Sequence, residues 1–196
     1  MKICTINAKG GSGRTTLTLN LAGYYAQSPT SRVLVADCDP QGSALAWAAL
    51  AEETPFTVGR SRSRGFDIEI YDLPPRIPDN DVLPEADLYL IPTLLDGVSF
   101  VVFLRTMELI TKKNLPHLIV ANRVNERRAE HRDRLASDAL KGALIVHERA
   151  ALASYYAEGR TIYDMTAAHA KSAQREIEQV ALACLAHGEA FSRIAA

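Results

Sequence analysis

Several things are scarce in this chain of 196 residues. Cysteine occurs three times, at Cys4, Cys38 and Cys184, an odd number at wide intervals. That spacing excludes a disulfide framework and a paired zinc site, and leaves three reduced thiols. No apolar run is long enough to span a bilayer, because the longest region, Leu88 to Ile110, is broken by Pro92, Asp96, Gly97 and Arg105. Neither sign of charge dominates. Lys and Arg number 22 against 23 Asp and Glu, so any nucleic-acid or membrane partner would have to meet a local basic face. There is no internal repeat, low-complexity segment or long linker. The chain starts Met-Lys-Ile and enters a strand at once, which leaves no room for a signal peptide, so a cytoplasmic location is expected. The length suits one domain over 1–196.

The chain is richest in information at Lys9 to Thr16, KGGSGRTT. An apolar run, Ile3 to Ile6, precedes it and a helical pattern, Leu17 to Tyr25, follows. A glycine loop between strand and helix turns backbone N–H groups inward, and the helix N-terminus adds its positive dipole end. Triphosphate is the natural guest. In the general pattern G-x-x-x-x-G-K-[ST] a lysine reaches the β- and γ-phosphates and a hydroxyl holds magnesium. Here Arg14 stands at the lysine position, Thr15 keeps the hydroxyl, and Lys9 opens the loop. A ligand-free glycine turn would explain the loop alone, but not the segments downstream.

KGGSGRTT resembles the deviant Walker A motif, KGGxGK[ST], of the ParA/MinD family of dimeric ATPases. The resemblance implies that Lys9 crosses a two-fold interface to the nucleotide on the other subunit. It implies that Gly10, Gly11, Ser12, Gly13, Arg14, Thr15 and Thr16 cradle ATP, with Lys9 and Arg14 both catalytic. Arg14 departs from the motif, since a planar fork is not equivalent to a compact ammonium. Next, a buried-strand pattern, Arg32 to Ala36, ends in DCDPQG, which resembles the DxDPQG segment of the ParA branch. The resemblance makes Asp39 the residue that positions or activates water and Asp37 a support of the Mg²⁺ shell. Turn chemistry alone also favours Asp-Pro and Gln-Gly.

Gly42 to Ala51 reads as a helix with Trp47, and Glu52 to Gly65 as an irregular stretch whose SRSR run is a solvated loop. FDIEIYDLPP, Phe66 to Pro75, resembles the family's YDxxxxDxPP segment, which makes Asp72 the Walker B carboxylate beside Thr15 and Asp37 at the metal. Glu69 is unexpected in a central strand and calls for an edge position or a partner. Leu88 to Pro92 is another strand, Asp96 to Thr111 a helix, and His117 to Ala121 a strand ending at Asn122. The resemblance puts Asn122 at the adenine, although an asparagine there also serves as a turn former.

Glu126 to Ala139 is a charged helix with a solvated face, Ala143 to Val146 a last strand, and Ala167 to His187 an amphipathic terminal helix. Family members bind DNA without sequence preference through C-terminal basic residues, for which Arg149, Arg160, Lys171 and Arg175 are the candidates. No specific motif marks these four. The alternation of strands and helices predicts a doubly wound α/β fold, a mostly parallel sheet flanked by helices. The resemblance as a whole implies a small ParA-type plasmid or chromosome partition ATPase. It would use ATP and Mg²⁺, form an ATP-dependent homodimer on nucleoid DNA, and be stimulated by a ParB-like centromere-binding adaptor. Two alternatives stay open. A MinD-like membrane-cycling ATPase would need a basic amphipathic tail, and residues His187 to Ala196 offer only Phe191 and Ile194 as large apolar groups. A nucleotide-gated binding module would hydrolyse little, with Arg14 as a structural ligand.

Overall fold

The computed structural model describes residues 1–60, 65–166, 168 and 170–194, with side chains as far as residue 188. Seven strands, β1 (Lys2–Thr5), β2 (Val33–Asp37), β3 (Thr57–Gly59), β4 (Ile68–Asp72), β5 (Leu88–Thr93), β6 (His117–Val124) and β7 (Leu144–His147), form one sheet in the order β3-β2-β4-β1-β5-β6-β7. Every pairing is parallel. Among the described residues six α-helices accompany them: α1 (Arg14–Tyr25), α2 (Ser43–Leu50), α3 (Gly97–Lys112), α4 (Ala129–Leu135), α5 (Ala150–Ser154) and α6 (Ala170–Ile194).

A parallel sheet is covered on both faces, and successive residues of each strand divide between the two covers. Ile3, Ile70 and Leu90 pack with Leu17, Leu21, Trp47, Ile177 and Val180, beneath α1, α2 and α6. Their neighbours Cys4, Tyr71 and Ile91 pack on the opposite face with Phe103 and Ile110 of α3. None of the three cysteines is in a disulfide among the described residues. Among the described residues no helix is long and apolar enough to cross a membrane.

The chain starts in the middle of the sheet, moves to one side through β2, β3 and β4, and continues on the other side of β1 through β5 to β7. The carboxyl ends of β1 and its neighbours therefore flank the point where the strand order reverses, the usual ligand crevice of such sheets. Register puts Thr5 opposite Asp72 and Asp37 opposite Asp72, so three strand ends deliver their polar residues to one place.

Two expectations are corrected, and the open question of Glu69 is answered. The stretch Glu52 to Gly65 is not wholly irregular, since Thr57 to Gly59 forms the edge strand β3 against β2. A three-residue strand is too short to leave a periodic signal. The helix expected over Glu126 to Ala139 shrinks to α4 and a 3-10 turn at Asp138–Leu140, because buried His131 accepts a bond from the Asn125 N–H and fixes a turn ahead of it. Glu69 lies in a central strand, at its amino-terminal part, and its partner is the Tyr71 hydroxyl, which donates to Oε2. The SRSR run, residues 61–64, lies outside the described residues, as do Ala167, the expected start of the terminal helix, and the side chains of Phe191 and Ile194.

Candidate nucleotide site

β1 ends at Thr5, and the chain turns over Asn7 into the glycine loop. Asn7 is fully buried: its Oδ1 accepts the Lys9 N–H at 2.9 Å and its Nδ2 donates to Pro92 O at 2.8 Å. Gly11 (φ 74°) and Gly13 (φ 92°) take left-handed conformations that side chains disfavour, which bends the loop back over the start of α1. Gly13 is the N-cap of α1 and supplies no side-chain cap. The first N–H groups of that helix are thus left for an anion. Among the described residues, Lys9 Nζ donates only to Gly10 O of its own loop, at 3.2 Å on the surface.

Arg14 points inward. Its Nε donates to Leu73 O at 3.0 Å, and its Nη1 donates to Asn7 O and Lys9 O, both at 2.7 Å, and to Ser12 Oγ at 3.2 Å. Burial lowers its pKa from the ordinary arginine value, while Asp72 and Asp39 pull the other way and favour its charge.

The carboxylates gather at the same end of the sheet. The Thr15 hydroxyl donates to Asp72 Oδ2 at 2.6 Å. Burial pushes the Asp72 carboxyl up to about 6, against the pull of the Thr15 hydroxyl and the Arg14 charge. Its other oxygen, Oδ1, is buried without a hydrogen-bond partner among the described residues. An orphaned carboxylate oxygen beside a threonine hydroxyl fits a hard cation. Asp37, also fully buried, accepts from the Asp39 N–H at 3.2 Å and, through its other oxygen, from the Leu45 N–H at 3.0 Å in the first turn of α2. No group of three or more His, Cys, Asp or Glu side chains among the described residues forms a metal cage. A magnesium ion here would draw most of its ligands from phosphate and water, its usual habit at phosphate sites. Asp39, held by the Gln41 N–H on its Oδ1, sits on the DPQG turn, and Arg60 donates to its carbonyl at 2.9 Å.

Asn122 reaches the loop as well, but as a strut. Its Nδ2 donates to Ser12 O at 2.8 Å and its Oδ1 accepts the Arg123 N–H at 2.9 Å. It lines a cleft of about 430 Å³ together with Gly13, Thr16, Arg123, His147 and Arg149. The adenine contact expected of Asn122 would require this amide to leave Ser12. A bulge between Asn122 and Val124, with Arg123 at φ 52°, re-aims the strand end into the cleft.

The four basic candidates for DNA divide. Arg149 is committed to Glu176 by two bonds, at 2.6 and 3.2 Å, on the rim of the cleft. Arg160 donates to Asp164 O at 2.8 Å and pairs with Glu158 at 3.4 Å. Lys171 and Arg175 are exposed on α6. Sequence reasoning missed Asn7, Ser12 as an acceptor for Arg14, and Arg60. Asn7 could have been found, because an asparagine two residues ahead of a turn N–H is Asx-turn chemistry.

Residues 3–162 match the CobQ/CobB/MinD/ParA nucleotide binding domain. The chain belongs to that family. The resemblance carried by KGGSGRTT and DCDPQG is therefore real, and the doubly wound parallel sheet is the family's fold. A maintenance of carboxysome distribution protein A from Gloeobacter kilaueensis is 29% identical over 204 residues, covering 91% of each chain. The chromosome-partitioning ATPase Soj of Thermus thermophilus is 44% identical over 52 residues, 26% of this chain and 20% of Soj. Among solved structures, a Cyanothece McdA complex with ATP superposes at a TM-score of 0.70 with 15% identity, covering 93% of this chain and 96% of that one. The MinD of a MinC:MinD complex from Aquifex aeolicus superposes at 0.73 with 16% identity, covering 91% and 95%. At those identities the likeness is one of fold.

Proposed function

We propose that this chain is a ParA-type positioning ATPase. It binds ATP with Mg²⁺, closes into a homodimer around the nucleotide, holds DNA without sequence preference, and hydrolyses ATP when an adaptor on the cargo stimulates it. The observation that carries this reading is the junction of Thr15 with Asp72, whose second oxygen is buried and unpaired, at the uncapped start of α1.

In this reading the loop N–H groups and α1 hold the phosphates, and Thr15, Asp37 and Asp72 hold the magnesium shell. The ion supplies charge neutralisation on the transferring phosphoryl group. Lys9, whose bond among the described residues is an exposed one to its own loop, would swing to a partner subunit's phosphates. Asp39 positions water from the DPQG turn, which Asp37 and Arg60 hold in place. The base occupies the cleft beside Asn122 and Arg123. Exposed Lys171 and Arg175 are the DNA contacts, since Arg149 and Arg160 are already paired.

For the cargo, two relatives matched over most of their length are carboxysome distribution proteins, which favours a large protein body. Plasmid or chromosome segregation with a ParB-like adaptor is the second reading, favoured by the local match to Soj. ATP turnover of the purified chain alone, with DNA, and with DNA plus candidate adaptors tests the cycle. Stimulated turnover that Asp39→Ala abolishes is expected; turnover unaffected by Asp39→Ala would overturn it.

A further inference from the structure

Arg14 occupies the position where a phosphate-contacting lysine is the rule, yet two of its three guanidinium nitrogens bond the protein itself. Nε and Nη1 together serve four acceptors. Three of these, Asn7 O, Lys9 O and Ser12 Oγ, belong to the loop and its approach. The fourth, Leu73 O, belongs to the segment that follows Asp72. The side chain is only 7% exposed. A guanidinium presents donors on separate nitrogens in a fixed fork, whereas an ammonium is a single point, so a lysine cannot bond the loop and Leu73 with this geometry.

We infer that Arg14 is a positioning residue: a clamp that sets the shape of the glycine loop and ties it to the strand end carrying Asp72. One feature agrees with that role. Among the described residues the loop's other side-chain bond to this strand end is Thr15 to Asp72, so the clamp is half of the connection. The loop is then held in a binding shape before nucleotide arrives, which reduces the ordering cost of binding.

The nucleotide arm of the test rests on the function proposed above; the stability arm does not. The full chain is compared with Arg14→Lys and Arg14→Met, first without nucleotide, by thermal melting and by amide exchange over residues 9–15. Magnesium complexes of ATP and of ADP are then titrated separately. A clamp predicts that Arg14→Lys lowers the nucleotide-free melting temperature by at least about 4 °C and speeds exchange of the loop amides. It also predicts that ATP and ADP lose affinity by a similar factor, about tenfold, because the cradle as a whole is displaced. A direct phosphate ligand predicts the reverse pattern. Arg14→Lys would then keep the nucleotide-free melting temperature and exchange rates and bind ATP as well as the parent or better, and Arg14→Met would lose ATP far more than ADP. That pattern overturns the inference. If the parent binds neither nucleotide, the proposed function fails, while melting and exchange still decide whether Arg14 clamps the loop. If Arg14→Met fails to fold, Arg14→Lys decides alone.

Discussion

Gly13→Ala is the substitution whose consequence the geometry defines most closely. Gly13 sits at φ 92°, and a Cβ built there would lie 2.0 Å from Asn122 Nδ2. Left-handed backbone costs a residue with a side chain about 1–2 kcal/mol. The Asn122 amide would also have to withdraw, giving up its 2.8 Å bond to Ser12 O and leaving buried polar groups unpaired, worth about 1–3 kcal/mol. The sum is about 3 kcal/mol for the single change. Asn122→Ala alone should cost about 1–3 kcal/mol for the lost bond and its orphaned partners. The double variant removes the side chain that the new methyl strikes. Its cost should therefore fall short of the sum of the singles by about 1 kcal/mol or more, a coupling that independent sites do not show. Urea unfolding of the four proteins measures this, read as midpoint shifts at constant slope. Strictly additive costs, or a Gly13→Ala protein as stable as the parent, would refute the strut between Asn122 and the loop.

Other perturbations are expected to act as follows. Glu176 binds Arg149 and His147; burial alone would raise its pKa, but those hydrogen bonds win and hold it below its ordinary value of 4.5. Its stabilising contribution is therefore complete above about pH 4.5 and is lost as pH falls through the lowered value, so Glu176→Gln should flatten that acid limb in a melting-temperature profile. Asp37→Ala strips two N–H groups of their acceptor, at Asp39 and Leu45, and should cost about 2 kcal/mol in a chemical melt while fraying the first turn of α2. Gly159 stands at φ 64°, and a Cβ there would come within 2.3 Å of Ala51 N, so Gly159→Ala should cost more than about 2 kcal/mol by the same melt.

The parts of the site that the sequence reveals are those written in consecutive residues. KGGSGRTT, DCDPQG and the Asp72 strand end each join an apolar strand to a turn, so their order along the chain already orders the crevice. The parts it conceals depend on partners far away in sequence. Asn122 looks like an end-of-strand turn former until its amide is found on Ser12, 110 residues earlier. Arg14 reads as a lysine substitute because its bond to Leu73 spans 59 positions and no local pattern encodes it. Glu69 seems misplaced only while the Tyr71 hydroxyl on the same face is unseen. Arg60 reads as one of several solvated arginines, yet β3, too short to leave a period, delivers it to the Asp39 carbonyl. Charge composition likewise could not separate Arg149, locked to Glu176, from Arg175, which is open to solvent.

Nucleotide and Lys9 are proposed to close a dimer together. Sedimentation velocity of Asp39→Ala, which is expected to bind ATP without hydrolysing it, tests this directly, alongside Asp39→Ala combined with Lys9→Ala, each with and without ATP and Mg²⁺. A monomer is expected without nucleotide, a dimer with ATP and Mg²⁺, and loss of that dimer in the Lys9→Ala combination while nucleotide binding persists. A chain that stays monomeric at saturating ATP and Mg²⁺, or a dimer indifferent to Lys9, would contradict the proposal.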